Sequence, residues 1–259
     1  MSISYKWLSK EHMKQVVMVH RESFSEQSIS YTIFASPRIH KYLEALVQHL
    51  SFQPQNFFLG AWANQKLVGY AHYRILNKAL HLNQIAVIPS YQGQGIGSKL
   101  LEEWLKKAIE LGMTKLSLDV SRNNKKAQQL YNTWGLYECG QTWIYKISPK
   151  FLATEKVEKN EDHLSILDWE NTLAWWETYG FAKILLNFKG RLVEVGWINN
   201  TIRLQDTFPK EILGNLPQIV PKIDNLFILS SKKMPDLFTL EPLKLVDTVI
   251  RMERYIDER

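Results

Sequence analysis

The sequence predicts a mixed α/β fold over residues 1–147, followed by a second, smaller α+β domain. Three observations point there. A β-prone apolar stretch at 80–88 runs into the glycine-rich loop Gln92-Gly93-Gln94-Gly95-Ile96-Gly97. Apolar residues then recur at Ile96, Leu100, Leu101, Trp104, Leu105, Ala108 and Ile109, which is the spacing of an amphipathic helix. Strand and helix periodicities alternate along the first 147 residues, as a mixed sheet covered by helices requires. Residues 165–259 hold an apolar inventory of their own, enough for a separate core.

Taken in order, 3–8 reads as a short strand. Residues 11–23 form a helix with Met13, Val16, Val17 and His20 on one face. A second helix spans 37–50, with Ile39, Leu43, Leu46, Val47 and Leu50 inward. The runs 57–62 and 67–73 flank Ala63-Asn64-Gln65-Lys66, a hairpin pattern. Pro89-Ser90 ends the 80–88 strand, and Gly112 stands at the C-cap of the helix after the loop. Leu116, Leu118 and Val120 alternate in a strand at 114–120. Residues 124–134 form a short helix stopped by Gly135, and Trp143, Tyr145 and Ile147 alternate in a last strand. The order is β, α, α, β, β, β, α, β, α, β.

Residues 148–164 are charged and aperiodic and read as a linker. Beyond them Asp168 caps a helix carrying Trp169, Leu173, Trp176 and Tyr179. Lys189-Gly190 divides 183–198 into a hairpin. Strands are expected at 202–204, 226–229 and 248–252, with a weak helix at 211–219. The domains expected are therefore 1–147, a linker at 148–164, and 165–259.

Composition narrows the class. The 259 residues exceed what one compact domain usually needs, and the 45% hydrophobic content suits real cores. No apolar run approaches the ~20 residues needed to cross a bilayer, and no secretory signal opens the chain. A cytoplasmic protein without membrane contact is expected. The single cysteine, Cys139, excludes an intramolecular disulfide. It reads as a small core residue, with a reactive thiol as the alternative. The net charge is +6, but the basic residues are scattered, so no nucleic-acid partner is expected. No metal is expected, and a homodimer is left open.

The glycine loop carries the chemistry. Between a strand and a helix N-terminus, glycines let the backbone turn tightly and present N–H groups to an anion. Gly97-Ser98-Lys99 has the wrong order for a nucleotide-hydrolase phosphate loop. The dinucleotide fingerprint needs a glycine where Ser98 stands. What remains is Gln92-x-x-Gly95-x-Gly97, within the run 85–97, followed by Asn124-x-x-Ala127-x-x-Leu130-Tyr131-x-x-x-Gly135-Leu136. Both motifs resemble those of the GCN5-related N-acetyltransferase (GNAT) family, with Leu136 in place of the usual phenylalanine. The resemblance covers residues 3–147.

That resemblance implies acetyl-CoA as co-substrate. The backbone of Ile85, Ala86 and Val87 would pair with the pantetheine arm, where the central strands splay apart at a bulge. Gln92, Gly93, Gln94, Gly95, Ile96, Gly97 and Ser98 would hold the pyrophosphate, and Asn124 would bond near the pantetheine. Lys125 and Lys126 either approach the 3′-phosphate or form a solvated helix face. The Val87 N–H would stabilise the thioester oxygen. Tyr131 is either the proton donor to the leaving thiolate or a core aromatic. The family's frequent glutamate before the loop is replaced by Asn83-Gln84, so the base is open. Asp119 is a catalytic candidate, with a strand-end role as the alternative. His72 and His81 are structural or basic, and a water relay would need no side chain. Glu22 and Glu26 either line the acceptor entrance or sit on an exposed loop.

The implied function is acetyl transfer to a primary amine, on a small molecule or a peptide, by direct attack in a ternary complex. The alternative is a catalytically weak or inactive CoA-binding sensor or interaction protein, prompted by Asn83-Gln84. The second domain reads either as a degenerate copy of the first or as an unrelated small fold. Lys189-Gly-Arg-Leu-Val echoes Asn64-Gln-Lys-Leu-Val68, and 249–253 looks like the end of an acetyltransferase fold. No glycine loop follows its hairpin, so it should not bind coenzyme A. Trp169, Trp175, Trp176 and Trp197 are either a ligand wall or core packing.

Overall fold

The computed structural model describes residues 2–48, 55–159, 163–233 and 243–256. In chain order the elements are β1 (Ile3–Trp7), α1 (Met13–Ser23), α2 (Glu26–Ser30), α3 (Ile39–Gln48), β2 (Asn56–Ala63), β3 (Lys66–Leu76), β4 (Ala79–Val87), α4 (Ile96–Glu110), β5 (Lys115–Ser121), α5 (Lys125–Thr133) and β6 (Tyr137–Ile147). There follow β7 (Leu164–Leu167), α6 (Trp169–Tyr179), β8 (Phe181–Phe188), β9 (Arg191–Ile198), β10 (Thr201–Gln205), α7 (Leu216–Ile219), β11 (Asn225–Ser230) and β12 (Lys244–Tyr255). The expected order is met, with α2 an added turn of helix. Leu50 lies outside the described residues.

The chain forms two compact units, and neither is contiguous. The first holds Met1–Ile29, Ile39–Gly140 and Val249–Arg259; the second holds Ser30–Arg38 and Gln141–Thr248. In the first unit the sheet runs β1-β2-β3-β4-β5 and ends on residues 249–255 of β12. All neighbours are antiparallel except β4 and β5. On α4, Ile96, Leu100, Leu101, Trp104 and Ala108 are buried, one helical stripe worth about 1.5–3 kcal/mol per large side chain. Trp104 Nε1 donates to the Leu80 carbonyl at 3.2 Å, which fixes the helix against β4. On α1 the buried face is Met13, Val16, Val17, Val19 and His20.

The second unit repeats this topology. Its sheet runs β7-β8-β9-β10-β11 and ends on residues 143–147 of β6, again antiparallel throughout except for β10 and β11. This favours the degenerate-copy reading over an unrelated fold. Each copy takes its closing strand from the segment that follows the other copy in sequence. The linear domain expectation is corrected accordingly. A cut at residue 147 would sever β6 from its partner β11 and leave β12 with the wrong half.

Residues 148–159 are not a linker either. Pro149–Thr154 form a 3-10 helix, and Leu152 is buried in the second unit's core with Ile184, Val195, Ile212 and Leu226. The Glu158 N–H donates to Asn215 Oδ1, and Asn215 Nδ2 to the Glu158 carbonyl, both at 3.0 Å. The tryptophans mostly serve packing. Trp169 and Trp176 stack on Trp197 at 6.1 and 4.6 Å, whereas Trp175 is exposed. Cys139 is exposed, not a core residue. It lies at the edge of β6, with Sγ 3.6 Å from the Arg251 carbonyl. Among the described residues no helix is long and apolar enough to cross a membrane.

Candidate functional site

In the first unit, β4 and β5 pair only from Ala79–Lys115 to Leu82–Leu118. Beyond that point β5 continues against β12 as far as Ser121, so β4 is left with an open edge. A register shift between His72 and Tyr73 skips Asn83, a bulge that turns the strand where the split begins. Ile88 N–H donates to the Val68 carbonyl, and antiparallel bonding alternates. Ala86 therefore bonds across to Tyr70, while the peptide groups of Ile85 and Val87 face the open edge. Of the three residues expected to pair with an incoming chain, Ile85 has both backbone groups free there, Val87 only its N–H, and Ala86 neither. Gln92 Nε2 closes the end of this edge with a 2.9 Å bond to the Val87 carbonyl.

The loop comes next. Gly93 and Gly95 adopt φ of 78° and 79°, a region costing other residues about 1–2 kcal/mol. Gly95 is the N-cap of α4 without a side-chain cap, and the first turn carries no acidic residue. Lys99 N–H to the Gly95 carbonyl is the first helical bond, so the amides of Ile96, Gly97 and Ser98 precede it unpaired. A Cβ on Gly97 would meet only Leu130 Cδ2, at 4.0 Å. Nothing in the protein itself requires glycine there. The space it leaves opens on a cleft of about 480 Å³.

That cleft brings together Ile85, Ala86, Val87, Gln92, Gly93, Gly95, Ile96, Gly97, Ser98, Asn124 and Tyr131. Gln94 is not on its wall; its Nε2 bonds the Ser90 carbonyl at 3.3 Å and braces the loop. Asn124 Oδ1 caps α5 by accepting from the Ala127 N–H at 3.1 Å, which leaves Nδ2 as a donor. Tyr131 is 5% exposed, and burial pushes its phenol well above the ordinary range. It is a protonated hydroxyl at any working pH. Tyr91, Ala127 and Leu130 also line the cleft. Ala127 and Leu130 are positions of the second motif and Tyr91 lies in the 85–97 run, but sequence reasoning gave none of the three a site role.

The candidate bases stand elsewhere. Asp119 does not line this cleft, nor does it end a strand. It faces Arg251 across β5 and β12, in a two-pronged ion pair with Nε–Oδ1 at 2.5 Å and Nη2–Oδ2 at 2.8 Å. His72 is bracketed by Gln84 at 3.0 Å and Asn56 at 2.9 Å; burial lowers its pKa to about 3. His81 bonds Ser117 Oγ at 3.0 Å; burial outweighs nearby Asp119 and lowers its pKa to about 4. Glu22 lines a different groove of about 640 Å³, which shares Tyr91 with the cleft. Glu26 lies exposed on α2, Lys125 is exposed, and Lys126 is exposed at the cleft rim. The arrangement can hold an extended ligand along an open strand edge, its anionic part on the loop, beside a protonated phenol.

Residues 20–136 match the Acetyltransferase (GNAT) family. Spermidine N(1)-acetyltransferase of Thermoplasma acidophilum is 30% identical over 139 residues, covering 51% of this chain and 86% of that protein. Thialysine N-epsilon-acetyltransferase of Sus scrofa is 38% identical over 74 residues, 27% of this chain and 44% of that one. The chain spans about half the length of several curated relatives it matches. Among solved structures, a tandem GNAT protein from the clavulanic acid biosynthesis pathway superposes with a TM-score of 0.71 at 10% identity, over 98% of both chains.

Proposed function

The chain belongs to the GNAT acetyltransferase family, and on that premise we propose that it is an N-acetyltransferase using acetyl-CoA, with one cofactor site, in the first unit. The observation that carries this is the open β4 edge leading straight to the unpaired amides at the start of α4. The residues present fit such a ligand: free peptide groups for an amide-bearing arm, a helix N-terminus for a pyrophosphate, and an open space at Gly97 where a Cβ would intrude.

Acetyl-CoA supplies an acetyl group activated as a thioester. The N–H and carbonyl of Ile85 and the N–H of Val87 would hold the arm as an added strand. The amides of Ile96, Gly97 and Ser98, with the α4 dipole, take the phosphate charge. The Val87 N–H points to the open edge, where it can receive charge developing on a carbonyl oxygen. Tyr131 Oη, protonated and without a hydrogen bond to any described residue, donates the proton a leaving thiolate needs. The sole cysteine lies outside the cleft, which supports direct transfer to the amine. With no carboxylate on the cleft wall among the described residues and the nearby histidines held neutral, the amine loses its proton to water. The acceptor is a primary amine of a small molecule or peptide.

The second unit lacks these features. β10 and β11 pair along all five residues of β10, leaving no open edge. The chain after β10 begins Asp206-Thr207-Phe208-Pro209 without glycine. The test is release of thiol from acetyl-CoA across a panel of polyamines, amino acids and peptide amino termini. Turnover with one amine class is expected, with kcat lowered about 100-fold in Tyr131→Phe while acetyl-CoA affinity holds. The wall's lack of a carboxylate favours a second reading, a CoA-binding sensor. Binding without turnover on any amine would select it.

A further inference from the structure

We propose that the second unit carries a binding site of its own, for a small carboxylic acid with an apolar body, built around Arg203. A cleft of about 470 Å³ lies over the face of its sheet opposite the core. Lys183, Gly196 and Arg203 stand in one row across β8, β9 and β10. The middle position has no side chain, and a Cβ there would lie 3.3 Å from Arg203 Cβ and 3.8 Å from its Nε. The glycine therefore keeps open the space beside the guanidinium. Phe181, Leu185, Ile198, Trp175 and Ile33 make the walls apolar.

Arg203 is the anomaly. Arg203 is half-buried, and burial lowers its pKa. Nη1 donates to the Tyr31 carbonyl at 3.1 Å. Nε is shielded and has no acceptor, and among the described residues no carboxylate pairs with it. The acidic residue of this cleft nearest in register, Glu194, is bound to Lys183 at 2.9 Å. Even half-buried, a charge without a counter-charge is costly, so its retention beside an open cleft points to a ligand that supplies the charge. With Nη1 engaged and Nε shielded, Nη2 is the donor left to the cleft, where it can hold one oxygen of a carboxylate. A phosphate dianion would find one free cation, with Glu194 and Asp168 both on the cleft wall, so a singly charged carboxylate is favoured.

The test is calorimetric titration of the full chain with phenylacetate and isovalerate, beside neutral phenylacetamide and phenyl phosphate. At least one of the two acids should bind one per chain, with phenylacetamide about tenfold weaker or worse. Arg203→Gln should cost the acid at least about tenfold in affinity. Gly196→Val, which fills the space but keeps the charge, should do the same and stands in if the arginine variant does not fold. Without ligand, Arg203→Met should raise the Tm, because it removes an uncompensated, half-buried charge. Failure of both acids to bind at millimolar concentration overturns the proposal. So does unchanged binding in the folded variants, or preference for phenyl phosphate. A lowered Tm in Arg203→Met together with no binding makes Arg203 a structural residue.

Discussion

Gly97 separates what the protein needs from what a ligand needs. Within α4 an alanine there would clash with nothing and would favour the helix, so Gly97→Ala should leave thermal stability unchanged or raise it, by up to about 1 kcal/mol. The same substitution narrows the cleft, so acetyl-CoA affinity should fall by about tenfold. A loss of both together would mean that the glycine serves the fold. The histidines make a second residue-scale prediction. His20 bonds Tyr70 Oη at 2.7 Å, and burial lowers its pKa to about 3. His72 and His81 are held at about 3 and 4. All three are neutral when folded, yet each takes a proton near pH 6.5 when unfolded. The unfolded state thus binds more protons below pH 6.5, and stability must fall as pH drops. Each histidine contributes about 1.4 kcal/mol per pH unit in that range. Denaturant titrations at pH 7 and pH 5 should show this steep loss, and turnover should show no histidine inflection between pH 5 and 8.

At the scale of elements, β12 decides the matter. Val249–Tyr255 close the first unit's sheet against β5, burying Ile250 and Met252 to 3% exposure each. Lys115 and Glu253 are tied at 2.7 Å, and Arg254 Nη1 donates to the Trp134 carbonyl at 2.9 Å. A fragment of residues 1–147 should therefore lack a stable fold, since it exposes the β5 edge and loses about 2 kcal/mol for each of those two side chains. Adding back a 249–255 segment behind a flexible linker should restore cooperative unfolding. If the bare fragment melts cooperatively near the full chain's Tm, the strand exchange is dispensable. This feature was not legible in the sequence. Periodicity located β6 and β12 as strands, but the two closing strands have similar alternation, and nothing in either says which sheet edge it will meet. The 148–159 segment failed for a related reason. Its core anchors, Leu152 and the partly buried Phe151, form too short an apolar run to show a periodicity. What was legible was local: the turn at Asn64, the Lys189-Gly190 hairpin, the α4 stripe as far as Ala108 (Ile109 is exposed), and the glycine loop with its strand. Glycine and periodicity are short-range signals, whereas Arg251 holding Asp119 spans 132 residues and left no local trace.

Across the whole molecule, one topology occurs twice and only one copy keeps the features that suit a nucleotide thioester. The first has the split between β4 and β5, the bulge at Asn83, the free amides of α4 and a buried phenol. The second has a fully bonded β10–β11 pair, no glycine in the four residues after β10, and on its sheet face a cleft beside Arg203. The division makes a definite claim about stoichiometry. Calorimetric titration of the full chain with acetyl-CoA, alongside Gly95→Glu, tests it most directly. The account predicts one site per chain, with affinity reduced roughly 100-fold or more in the variant, because a carboxylate and a side chain at positive φ both oppose the loop's anion site. Two sites per chain, or one site indifferent to Gly95→Glu, would contradict it.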